Sequence, residues 1–88
     1  MHKALGTVET RSLVGAIAAA DAMVKAASVQ VSDFRLVGSG LVAVIVEGDV
    51  AAVQAAVDSG KAAAERLSEV ISALVLPRPH DEVDKLML

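Results

Sequence analysis

The segment that most constrains the fold is Leu41-Val42-Ala43-Val44-Ile45-Val46, an unbroken apolar run rich in β-branched residues. Branching at Cβ stiffens χ1 and suits a pleated strand better than a helix. The run is far short of the ~20 apolar residues that a membrane-spanning helix needs. Without polar alternation it reads as a central strand covered on both faces. The rest of the chain, or its partners, must therefore supply layers on both sides of a sheet.

The flanking segments can supply one layer. Ala4-Leu5-Gly6-Thr7-Val8-Glu9-Thr10 alternates in part and reads as a first strand. Ser12 offers an N-cap, and Leu13, Ile17, Ala20 and Val24 recur at helical spacing in a helix reaching Ala27. Asp21 and Lys25 stand at i and i+4 with the acid first, the favoured orientation. Val29 to Val37 reads as a second strand. Its apolar parity shifts between Val31 and Phe34, which calls for a bulge or for burial on both faces. Gly38-Ser39-Gly40 marks a hairpin turn. Gly48 is expected to break the central strand, and Asp49 to cap a helix from Val50 to about Leu67. Val50, Val53, Val57 and Leu67 would lie along one broad face of it. Gly60, mid-helix, costs about 1 kcal/mol relative to Ala, which a close packing contact would explain. Val70 to Leu76 reads as a fourth strand ended by Pro77, and Asp81 to Leu86 as a short C-terminal helix. The order β-α-β-β-α-β predicts a single α+β domain over residues 1–88 with a ferredoxin-like fold. A four-stranded antiparallel sheet would carry both helices on one face, leaving the other for neighbouring subunits.

An 88-residue chain has a small core and a thin stability margin. It contains no Cys, so disulfides are excluded, and its two His make a structural zinc site unexpected. No metal and no cofactor are expected, and association is the remaining way to bury surface. A net charge of −3 and a single aromatic, Phe34, argue against nucleic acid. Met1-His2-Lys3-Ala4 lacks the apolar stretch of a signal peptide, so a cytoplasmic location without a membrane span is expected.

Catalysis finds no footing. His80, in Pro77-Arg78-Pro79-His80, has no second His or Cys to pair with, and Ser39 has no identifiable base. Asp81, Glu82 and Asp84 read as a solvated helix start. Gly38-Ser39-Gly40 runs into a strand, whereas a dinucleotide loop runs into a helix. Gly48-Asp49 could present free N–H groups to an anion, but the Asp49 carboxylate would itself fill that position as a cap. Lys25 suits the end of its helix. Arg78, held between two prolines, presents a guanidinium at low entropic cost to a carbonyl or carboxylate partner.

Several segments together carry a family resemblance. Ala4-Leu5-Gly6-Thr7-Val8-Glu9-Thr10 resembles the opening strand of hexamer-forming bacterial microcompartment shell proteins. Ala19-Ala20-Asp21-Ala22-Met23-Val24-Lys25-Ala26-Ala27 looks like their signature helix, and Val37-Gly38-Ser39-Gly40-Leu41-Val42 like their pore loop. Val44-Ile45-Val46-Glu47-Gly48-Asp49-Val50 and Pro77-Arg78-Pro79-His80 are similar to later signatures. The resemblance implies a structural, non-enzymatic protein whose homohexamers tile edge to edge into a shell. Its partners would be neighbouring hexamers, pentameric and trimeric shell proteins, and encapsulated enzymes. It further implies a sixfold pore for small polar metabolites at Gly38, Ser39 and Gly40, and a hexamer–hexamer edge carrying Lys25, Ser28, Arg78 and His80. Glu47 stands where many relatives carry a basic residue, Ser28 where they often have Asn or Arg, and Phe34 where Tyr is commoner. Two other functions of such a fold make different demands on the sequence. An oligomeric ligand-binding regulator should show more glycine and basic residues in its phosphate loop, and an RNA-binding module should show paired strand aromatics.

Overall fold

The computed structural model describes residues 3–77. Six elements follow in the expected order: β1 (Lys3–Thr10), α1 (Leu13–Ala26), β2 (Gln30–Val37), β3 (Leu41–Asp49), α2 (Val50–Glu65) and β4 (Val70–Pro77). One four-stranded sheet runs β2-β3-β1-β4, and every neighbouring pair is antiparallel. This is the ferredoxin-like order, with β1 and β3 central and β2 and β4 at the edges. The short helix expected at Asp81 to Leu86 lies outside the described residues.

Alternation along the central strands decides which face is covered. Ala4, Val8, Val42, Val44 and Val46 share one buried cluster with Ala16, Ala19 and Met23 of α1 and Val53, Ala56, Val57 and Ala64 of α2. Leu5, Thr7, Leu41 and Ile45 point to the opposite face and are only half-buried. The central strand is thus fully covered on its helix side alone.

The parity shift in β2 is a bulge. Val31 pairs with Val46 and Asp33 with Ile45, so Ser32 is the extra residue between them. Beyond it Phe34 and Leu36 join Val31 on the helix side of the sheet. Ser12 caps α1 as expected, its hydroxyl oxygen accepting the Gly15 N–H at 3.0 Å. The Thr10 hydroxyl, fully buried, donates to the Ser12 carbonyl at 2.6 Å and fixes the turn from β1 into α1. Gly60 is where the helices meet. A Cβ there would lie 2.6 Å from Met23 Cγ and 3.3 Å from the Ala19 carbonyl oxygen.

Three expectations need correction. Gly48 does not break β3: it pairs with Ala4 and the strand runs on to Asp49. Asp49 occupies the N-cap position of α2, but its side chain makes no capping hydrogen bond. The single broad face expected on α2 is split, with Val53 and Val57 buried, and the apolar stripe of α1, whose direction the spacing left open, turns outward. Leu13, Ile17 and Val24 of α1 are 54%, 53% and 45% exposed, whereas Gly15, Ala16, Ala19 and Met23 are buried. Val50 and Leu67 are likewise exposed, and α2 ends at Glu65. Small residues win the inner face because the helices approach each other and the sheet closely, which leaves the bulkier side chains outside.

Candidate functional site

Antiparallel pairing sorts the candidate residues to opposite ends of the sheet. At one end Thr10 pairs with Val42 and Val37 with Leu41, closed by the loop Gly38-Ser39-Gly40. At the other end Lys3 pairs with Asp49, Ala4 with Gly48 and with Pro77, and Gln30 with Glu47. Helix α1 starts beside the loop end and delivers Lys25 and then Ser28 to the far end. Lys25 and Ser28 thus lie toward the same end of the sheet, and Gly38, Ser39 and Gly40 lie at the other. Arg78 and His80 lie outside the described residues, although Pro77, which leads into them, is at the Lys25 end.

The loop is a tight, exposed three-residue hairpin. Ser39 has φ 69° and Gly40 φ 77°, both left-handed. A serine there is strained by ~1 kcal/mol, and Gly40 is the residue type that tolerates the position. Gly38 is different, because its φ is not positive and a Cβ on it would meet nothing within 4 Å. Nothing inside the described chain requires glycine at 38.

At the far end Lys25 Nζ lies 2.9 Å from Asp21 Oδ2, with both side chains mostly in solvent. That pair holds the lysine head near the helix terminus, where its charge suits the dipole. Ser28 opens onto a recess of about 320 Å³ lined also by Lys3, Val29, Gln30, Glu47, Gly48 and Asp49. Gly48 makes room for it: a Cβ there would sit 3.1 Å from the Ser28 carbonyl oxygen. Glu47 lies 3.9 Å from Lys3 Nζ in this recess. Six residues of strand, about 20 Å, separate Glu47 from Leu41 at the loop. Its departure from the basic residue of many relatives therefore bears on the far end, away from the loop.

On the uncovered sheet face Arg35 Nε donates to Asp33 Oδ2 at 2.6 Å. That hydrogen bond, opposed by desolvation, holds the Asp33 carboxyl below its ordinary value of 3.8. Among the described residues no group of His, Cys, Asp and Glu could hold a metal ion. No helix of the described chain is long and apolar enough to cross a membrane.

The core has a composition that helical and strand spacing did not disclose. None of the Leu, Ile and Phe side chains among the described residues belongs to the buried core, which is built from Ala, Val and a single Met. Folded monomers normally bury these types first. Here Leu13, Ile17, Phe34, Leu36, Leu74 and Leu76 are all at least two-fifths exposed. The signal was present as large aliphatics that a core of alanines has no room for.

The sequence matches the BMC domain family over residues 4–79. It is 55% identical over 86 residues to the bacterial microcompartment shell protein PduA of Citrobacter freundii, covering 98% of this chain and 92% of that one. It is 50% identical over 84 residues to the bacterial microcompartment shell protein EutM of Salmonella typhimurium, covering 96% and 88%. Its fold superposes with a TM-score of 0.82, at 40% identity, on the crystal structure of a microcompartment protein from Desulfitobacterium hafniense. That match covers 94% of this chain and 45% of the other, so the chain spans less than half of that protein's length. The chain belongs to the BMC domain family of bacterial microcompartment shell proteins, and its role is structural rather than enzymatic.

Proposed function

We propose that the chain forms homohexameric discs that join edge to edge, with neighbouring hexamers and with pentameric and trimeric shell proteins, into a wall around encapsulated enzymes. The observation that carries this reading is the separation of the two candidate sites along the sheet. In a sixfold ring one end of each subunit meets the axis and the other forms the rim. The hairpin Gly38-Ser39-Gly40 suits the axis. Gly38 has no need of glycine within its own subunit, but six converging copies would crowd any side chain there. Ser39 would offer its hydroxyl to small polar metabolites, and a ring of such donors selects by pore width and hydrogen bonding.

Lys25, Ser28, Arg78 and His80 would form the rim. A lysine near its own copy on the adjacent disc needs acceptors, and Asp21 already supplies one at 2.9 Å. Electron microscopy of concentrated protein tests the assignment. Lys25→Ala and Arg78→Ala are expected to leave sixfold particles intact while reducing extended sheets. Loss of the particles themselves would overturn the rim assignment.

A further inference from the structure

We propose that folding of this chain is coupled to its association: a single copy does not hold the fold described above, and copies acquire it as they join. The inference rests on the ring reading and goes beyond it, since a ring can equally be built from subunits that are folded beforehand.

The buried core withdraws little apolar surface from water. Among the described residues it holds thirteen hydrophobic side chains, of which six are alanines, and Met23 alone is larger than valine. Burial stabilises in proportion to apolar area, and a single methyl offers little of it. Thirteen larger apolar side chains stand exposed instead. Such residues are ordinary on a surface when they are scattered singly. Here they are gathered. Leu13, Ile17 and Val24 form one stripe of α1, and Ile71, Leu74 and Leu76 lie along β4, which carries no charged residue.

Strand pairing adds a cost that this core must offset. Lys3 pairs with Asp49 and Ala4 with Pro77, so two of the three ladders close long stretches of chain. Closing such loops costs entropy before any contact compensates for it. The helices need less support, because alanine is the strongest helix former. The sheet is the part that depends on neighbours. At this size a domain is normally completed by disulfides, a metal or partner subunits. The chain has no Cys, and among the described residues no group could hold a metal ion. Further copies of this chain complete it. The α1 stripe meets β2, where Leu13 and Leu36 line one groove, and β2 and β4 are opposite edges of the sheet. One neighbour therefore covers only one of the two apolar surfaces, and repeated copies cover both.

Urea unfolding of the purified chain tests the coupling, with mass read by sedimentation and structure by hydrogen exchange of the Val8 and Val44 amides. Loss of mass and loss of protection should coincide. Because six chains leave each particle, the shared midpoint should fall by about 0.4–1 M for each tenfold dilution. A species of one-chain mass with those amides protected, or a protection midpoint that dilution leaves unmoved, would overturn the coupling while leaving the ring intact. A Leu13→Gln/Ile17→Gln variant separates coupling from ordinary destabilisation. Glutamine is as good a helix former as leucine and better than isoleucine, and both positions are about half exposed within one chain, so a self-sufficient domain would keep its fold. The variant is expected to lose mass and protection together and to regain both together when concentrated. A protected monomer, or a variant indistinguishable from the wild type, would contradict the coupling. A wild-type particle that is not hexameric at high concentration would instead remove the ring reading on which the coupling rests.

Discussion

Replacing Gly6 with alanine tests how closely the helix layer sits on the sheet. Gly6 lies on β1 facing α2, where an added Cβ would lie 2.6 Å from Val57 Cγ2, 2.7 Å from Val53 Cγ1 and 3.2 Å from Val46 Cγ2. All three neighbours are β-branched and hold a single χ1 well strongly, so they yield little. Overpacking of this kind costs about 1–3 kcal/mol. The lower entropy of an unfolded alanine returns about 0.5–1 kcal/mol. With two contacts under 3.0 Å the overpacking cost falls in the upper part of its range, about 2–3 kcal/mol. The net expectation is a loss of about 1–2.5 kcal/mol, which for a domain of this size lowers Tm by roughly 4–20 °C. Thermal unfolding at one fixed protein concentration reads this out, the concentration being held because association shifts Tm. The contact is then isolated by a double-mutant cycle. Val57→Ala alone removes buried methyls and leaves a cavity, but in the Gly6→Ala background the new methyl fills part of that space. The two losses should therefore fall short of additivity by about 1 kcal/mol. A neutral or stabilising Gly6→Ala, or strict additivity with Val57→Ala, would refute the close approach of α2 to β1.

Two further outcomes follow from local contacts. Ser12→Ala removes the cap on the Gly15 N–H and should cost about 1 kcal/mol in the same thermal assay, with Ser12→Gly costing only a few tenths. In an NMR titration Asp33 should ionise below the ordinary 3.8, and Arg35→Ala should bring its midpoint back up. Because the folded value is the depressed one, the Asp33–Arg35 contact favours the folded chain above the ordinary carboxylate range and loses that contribution as pH falls through the depressed value. A midpoint that Arg35→Ala leaves unmoved would show that the guanidinium is not the cause.

Much of the fold could be read from residues whose local chemistry leaves few choices. Ser12 before an apolar periodic run specifies a cap. The parity slip between Val31 and Phe34 allowed a bulge, and register places it at Ser32. Gly60 in an alanine-rich helix announces a close contact, and Met23 supplies it. Other features were hidden because they depend on packing between elements. Periodicity marks Leu13, Ile17, Ala20 and Val24 as one stripe of α1, but nothing local says whether that stripe faces the core or a neighbour. The answer came from Gly15, Ala16, Ala19 and Met23, which fit the narrow space over the sheet. Gly48 looked like a strand end because glycine commonly is one. Its reason for being there is the Ser28 carbonyl across the recess, a contact that only the fold creates. Gly38, Ser39 and Gly40 were legible as a turn and Lys25 as the end of a helix, whereas Ser28 was singled out only through the family resemblance. Their lying at opposite ends of the sheet follows from strand order.

The most direct test of the account is the mass of the purified chain in solution by light scattering at moderate salt. The account predicts a particle six times the 9.0 kDa of one chain. A stable monomer or trimer that never reaches that mass at any concentration would contradict it, because the large side chains outside the core would then have no sixfold ring to cover them.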